Sequence, residues 1–340
     1  GSNPPPPLPP PPAPPPPPAP PPPPVFECFA FGDPHYAVFN QTNSLFDHFG
    51  QGVYNYYSNS NLNTYIQIYQ CPYLQSILSA TAAVAISIGD VTFFVRGLPC
   101  RSNVEITCTT TLQAVTSSGE EVFPLTVGEF VSTFATVTTS EGNVEVRRVP
   151  EGKGFWILNP SHWYGSIIVE NYIVPVWNDR VFGDWTILNT RLQIEYNVGF
   201  EEGDGICVNG CASKVVDGVR VCQTNVCEEV DTSSVLFDAS TIAELDATCK
   251  VIPTSRSPCD PVNAVEVCDS VTDEAKAAAL AACSSIPAAG NLYASCMIDC
   301  CAAGNAGTEC ADIPLSLIPP PSPPSPPSVP PSSPPPSPPL

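Results

Sequence analysis

The chain has 340 residues, among them 44 prolines and 16 cysteines, and carries a formal charge of −21. That length allows one large domain or two modest ones. With 33 Asp/Glu against 12 Lys/Arg, it lacks the clustered cations that nucleic-acid phosphates or anionic membrane surfaces demand. All sixteen cysteines fall between Cys28 and Cys310, a density that predicts a disulfide framework in an oxidising, extracellular setting. No C-x-x-C pair occurs and there are three histidines, so zinc-site spacing is absent.

The prolines are concentrated at the two ends. Residues 1–24 hold 18 and residues 313–340 hold 15, leaving 11 between. From Pro4 to Pro24 the run is broken only by Leu8, Ala13 and Ala19. Proline fixes φ and has no N–H, so polyproline II is the conformation left to this arm, a rod of roughly 65 Å at about 3.1 Å per residue. Such a rod reads either as a stiff spacer or as a docking strut.

Residues 25–200 read as β. At 64–70, Tyr65, Gln67 and Tyr69 alternate with Ile66 and Ile68. Residues 84–96 hold two strand-like runs about Gly89-Asp90, a hairpin signal. Further runs follow at 104–110, 130–138, 143–149, 155–158, 165–170 and 191–197. The apolar stretch 73–89 carries Gln75, Ser76, Ser79, Thr81 and Ser87, and predicts strands rather than a membrane span. The expected fold is an antiparallel β-sandwich. Tyr54, Tyr56, Tyr57, Tyr65, Tyr69 and Tyr73 crowd one stretch, a candidate binding face for glycan or protein or one half-buried sheet face.

After about residue 207 cysteine and alanine become frequent. Residues 272–285 read as a helix, with Thr272 as N-cap and Asp273 and Glu274 in its first turn; residues 292–303 are a second helical candidate. The expected organisation is a polyproline arm (1–24), a β domain (25–230), a small disulfide-rich helical module (231–312) and a Ser/Pro-rich arm (313–340). In that last arm Pro319 to Pro339 repeats Pro-Ser-Pro-Pro. The start at Gly1-Ser2 reads as a mature or trimmed end, and Pro338-Pro339-Leu340 offers no lipid-anchor tail, so a secreted chain is expected.

The segment Cys28-Phe-Ala-Phe-Gly-Asp-Pro-His-Tyr-Ala-Val-Phe39 resembles the opening of von Willebrand factor type D domains, Cys-x-x-x-Gly-Asp-Pro-His-Tyr-x-x-Phe. Val176-Trp177-Asn178 and Gly205-Ile-Cys-Val-Asn-Gly210 are similar to later positions of that family. Residues 277–283 and 293–300 are similar to the eight-cysteine helical module that often follows it. The arms resemble the hydroxyproline-rich glycoproteins of green algal and plant walls and surfaces. The resemblance implies a disulfide from Cys28 to Cys207, with Cys211 as the rival. It also implies calcium, for which Asn40, Asn209 and Asp217 are the candidate ligands. Asn40-Gln41-Thr42 is also the chain's N-glycosylation sequon, a competing use of Asn40. O-linked glycans are expected on the proline-rich arms.

In some relatives the Asp–Pro bond of this motif breaks by itself. Here a protonated Asp33 would attack its own carbonyl, Pro34 nitrogen would leave, and His35 would supply the proton. The simpler reading makes Asp33-Pro34 a turn and His35 a packing residue. His48 and His162 read as turn or packing residues, and no hydrolase, metalloprotease or phosphate-loop motif occurs, so no enzyme is expected. The sequence reads as a structural extracellular subunit, self-associating head-to-tail or joining other matrix and surface glycoproteins in a filament, cell wall or flagellar appendage. The alternative is a monomeric adhesion module using the tyrosine-rich face. Neither reading involves nucleic acid or a membrane span.

Overall fold

Period-two alternation of the kind seen at 64–70 recurs in the many strands among the described residues of the computed structural model. The structure describes residues 25–31, 35–39, 45–48, 50–73, 78–97, 101–102, 106–107, 110–126, 134–148, 154–159, 165–172, 187–195, 203–210, 215–216, 219–220, 228–249, 264–284, 286, 293 and 296–301. Both arms, Asp33, Pro34, Asn40, Cys211 and Asp217 lie outside these residues.

In chain order the first strands are β1 (Val25–Phe31), β2 (His35–Ala37), β3 (Leu45–Asp47), β4 (Gly52–Asn59), β5 (Thr64–Tyr73), β6 (Leu78–Ile88) and β7 (Val91–Gly97). Next come β8 (Arg101–Ser102), β9 (Ile106–Thr107), β10 (Thr110–Thr116), β11 (Glu121–Thr126), β12 (Phe134–Thr139), β13 (Gly142–Arg148), β14 (Gly154–Asn159), β15 (Gly165–Tyr172) and β16 (Ile187–Glu195). A short helix α1 (Ile206–Asn209) and strands β17 (Val215–Val216) and β18 (Val219–Arg220) lead to helices α2 (Ala239–Cys249), α3 (Ala264–Asp269) and α4 (Asp273–Cys283).

The chain is mainly β, and the named strand pairs are antiparallel. One sheet has six strands in the order β11-β10-β7-β6-β5-β4, and the other has eight in the order β12-β13-β14-β15-β16-β1-β2-β3. The first strand thus returns to lie beside the last long one, with Cys28 opposite Leu192. The predicted hairpin at Gly89-Asp90 joins β6 to β7, and Gly89, at φ 61°, supplies the left-handed residue that opens a primed two-residue turn. Of the strand expected at 104–110, residues 106–107 and 110 are described, and all three are in strands. β9 and β10 are separate, and β8–β9 forms its own two-stranded piece.

Alternate residues of both sheets meet in one hydrophobic core. Ile66, Ile68, Val84, Ile86, Phe93 and Val95 come from the six-stranded sheet, and Val146, Phe155, Ile157, Val169 and Leu192 from the eight-stranded one. The other face of the six-stranded sheet is packed as well. Val53, Tyr69, Ala83 and Ala85 join Phe237, Leu245, Val267 and Ala279 of the helical segment in a second cluster. Small alanines on β6 let the helices approach closely on that side. Helix α4 begins as its composition predicts: Thr272 Oγ1 accepts from Ala275 N at 3.2 Å, and Asp273 and Glu274 occupy the first turn. Helix α2 starts in the same way at Asp238, which accepts from Thr241 N at 2.8 Å.

Candidate functional site

His35, the last residue of the Gly-Asp-Pro-His motif, opens β2, and register places Phe31 opposite it. His35 is 1% exposed, and its Nε2 lies 3.0 Å from Asp299 Oδ2 in the helical turn at 296–301. Asp299 is also 1% exposed. A buried carboxylate without a partner is costly, so the pair locks this corner of the eight-stranded sheet to the C-terminal helical segment. The geometry directs His35 Nε2 at Asp299, away from service as a free proton donor. Asp33 and Pro34, the bond that self-cleavage would break, lie outside the described residues.

Beside this corner is a buried polar cluster. Gln70 Nε2 donates to Tyr36 Oη at 2.5 Å, and Gln70 Oε1 accepts from Gly50 N at 3.0 Å. His48 Nδ1 lies 2.9 Å from the same Oε1, which places the proton on Nδ1. The His48 ring stands edge-on to Tyr36 and Tyr54, at centroid distances of 5.9 and 4.7 Å. A Cβ on Gly50 would come within 2.3 Å of the Tyr54 ring and 2.4 Å of Gln70 Oε1, so only glycine fits. His48 is therefore a packing histidine.

The tyrosine-rich binding face is corrected by this structure. Tyr54, Tyr56, Tyr57 and Tyr69 are all buried, and only Tyr65, at 37% exposure, is exposed among the described side chains of that set. Tyr73 ends β5, and its side chain is outside the described set. The reason is that these tyrosines fall on both faces of strands that are themselves covered on both faces. Tyr54, Tyr56 and Tyr57 point into the inter-sheet core, while Tyr69 points at the helices and donates to Asp246. Tyr56 Oη lies 3.1 Å from both Cys28 O and Thr190 O. Burial pushes the phenols of Tyr36, Tyr54, Tyr56, Tyr57 and Tyr69 above their ordinary value, so they stay neutral. Glu229 is exposed over much of its surface, yet its carboxylate sits over Gly52. Partial desolvation first, and the charge of Asp246 second, raise its pKa.

Cys28 is bonded to Cys207 of α1, and Phe39 N donates to Cys207 O at 3.1 Å. Asn209, at the end of α1, donates its amide to Asp204, whose Oδ1 also accepts from Gly205 N at 2.7 Å. The side-chain carbonyl of Asn209 would supply one of the six to eight oxygens that calcium takes. The other two candidate ligands, Asn40 and Asp217, lie outside the described residues, as does the sequon. Three sulfurs, those of Cys283, Cys296 and Cys300, lie within 4.8 Å of one another. All three are tied up in disulfides, so they are not thiolate ligands for a metal.

Further contacts that leave almost no sequence signal join the helical segment to the sheets. Gln67 works as a two-way clasp: its Nε2 donates to Ser234 O and its Oε1 accepts from Leu236 N, both at 2.8 Å. Val230 N donates to Val53 O at 2.9 Å, Arg96 pairs with Glu244 at 3.1 Å, and Cys71 of β5 is bonded to Cys249 of α2. Only the polarity of Gln67 within an apolar alternation could have hinted at this seam. Among the described residues, no helix is long and apolar enough to cross a membrane. Comparison with protein-family models gives no match, and comparison with curated proteins gives no significant match.

Proposed function

We propose that the chain is a structural subunit of an extracellular glycoprotein assembly, with no catalytic role. In this reading the two sheets close as a type D-like sandwich, the helical segment is its cysteine-rich module, and polyproline II arms join successive bodies head-to-tail. Glycans on Asn40 and on the arms would cover the polymer, which would form a filament, wall layer or surface appendage. Calcium at Asn40, Asn209 and Asp217 would be a structural ion.

One observation supports this reading above the others: both ends of the described body are tied into its interior. The N-terminal arm runs directly into β1, which is hydrogen-bonded on both sides, by β16 and β2, and is stapled through Cys28–Cys207. The described C-terminal end, residues 296–301, is held by Cys268–Cys301, by Cys283–Cys296 and by the buried Asp299–His35 pair. Tension applied through the arms would therefore meet cross-linked, doubly paired elements rather than a fraying edge. The several disulfides also fit a secreted chain.

Electron microscopy of natively purified material, with intact and deglycosylated masses, tests the proposal. Regular fibres with excess mass on the arms are expected, and deletion of residues 1–24 should leave discrete bodies. Discrete bodies from the full glycosylated chain at all concentrations would overturn it.

A further inference from the structure

Helix α4 ends at Cys283, against the turn formed by residues 296–301. Cys296 and Cys300 are four residues apart in that turn, so they share one helical face and both point at Cys283. Cys283 is bonded to Cys296, while Cys300 Sγ lies only 3.7 Å from Cys283 Sγ. All three residues are fully buried. Cys300 is itself disulfide-bonded, to a cysteine outside the described residues. The neighbouring Cys301 is held separately by Cys268. Two disulfides therefore touch, sulfur against sulfur, at the junction of α4 with the last turn.

We propose that Cys283, Cys296 and Cys300 form a disulfide relay that answers to thiol reductants. In the first step a small dithiol opens the bond between Cys300 and its partner. The dithiol is oxidised to its cyclic disulfide, the partner becomes a thiol, and Cys300 becomes a thiolate. In the second step the Cys300 thiolate attacks Cys283 Sγ, a new Cys283–Cys300 bond forms, and the Cys283–Cys296 bond breaks. Cys296 departs as a thiolate and takes up a proton, with no further change of oxidation state. Because Cys296 and Cys300 stand on the same face of one turn, either pairing staples α4 to that turn. The bond between Cys300 and its partner is given up while α4 stays cross-linked to the turn. Burial makes the thiolate costly, so the exchange is slow and can be trapped.

The test uses the full oxidised chain with no other modification. Dithiothreitol is raised until Cys300 first opens, the reaction is acid-quenched, free thiols are alkylated, and linked peptides are mapped by mass spectrometry. The expected result is a Cys283–Cys300 peptide with alkylated Cys296, growing with time before the quench. Cys300 alkylated while Cys283–Cys296 stays intact at every time point would overturn the relay. The variant Cys296→Ala tests it without reductant. The relay expects Cys283 to pair with Cys300, leaving the free thiol on the former partner of Cys300. A free thiol on Cys283, with Cys300 still in its original pairing, would overturn it independently.

Discussion

Along β6 one face carries Val84, Ile86 and Ile88 and the other carries Ala80, Ala83 and Ala85. The first set packs against the opposite sheet and the second against the helical segment. The inter-sheet side is held by large apolar side chains from many strands, with Cys28–Cys207 as the cross-link there among the described residues. The helical side buries small residues and supplements them with a disulfide, the Gln67 clasp and an ion pair. The difference teaches that area holds the first interface, whereas specific bonds hold the second.

Alkaline titration should break the inter-sheet side outright. Burial raises the folded-state pKa of Tyr36, Tyr54, Tyr56 and Tyr57 above the ordinary phenol value of 10.0. Their contribution to stability is therefore complete below the unfolded pKa of 10.0 and is lost as pH rises above it, because only the unfolded tyrosines release protons there. Phenolate absorbance from these four should appear together with loss of β circular dichroism, and ionisation inside a still-folded body would refute this.

Phe93→Ala should cost about 3–5 kcal/mol in urea unfolding, as expected for a buried phenylalanine between two sheets. The paired change Cys71→Ser with Cys249→Ser should cost about 2–4 kcal/mol. Its effect should be local, with faster amide exchange in α2 while β13–β16 stay protected; uniform acceleration would mean that the two sides are not separate. Gln67→Ala should cost about 1–3 kcal/mol, since it leaves Leu236 N–H and Ser234 C=O without their partner. Thr272→Ala removes one cap bond and should cost about 1 kcal/mol, read as a small shift in the melting of α4.

Much of the β body was legible in advance, for local reasons. The runs that predicted strands at 64–70, 84–96, 143–149, 155–158 and 165–170 correspond to β5, β6 with β7, β13, β14 and β15. Alternation defines two faces of a strand, and Gly89 marks a turn by its own backbone freedom. Helix α4 announced itself through Thr272 and two acids. The tyrosines misled because alternation does not say what covers a face. Tyr65 is exposed and Tyr69 is buried on the same face of β5, four residues apart, because the helices reach only the second.

The sequence by itself determined the proline-rich composition of both ends, the strand-rich body, the cap of α4 and an oxidised cysteine framework. Each follows from composition or from neighbours within a few residues. Only the tertiary structure decided that β1 closes against β16, that Gln67 grips residues 234 and 236, and that His35 meets Asp299 across 264 positions of chain. Such pairings leave no local signature, because a single buried polar residue looks the same in sequence whichever distant partner satisfies it.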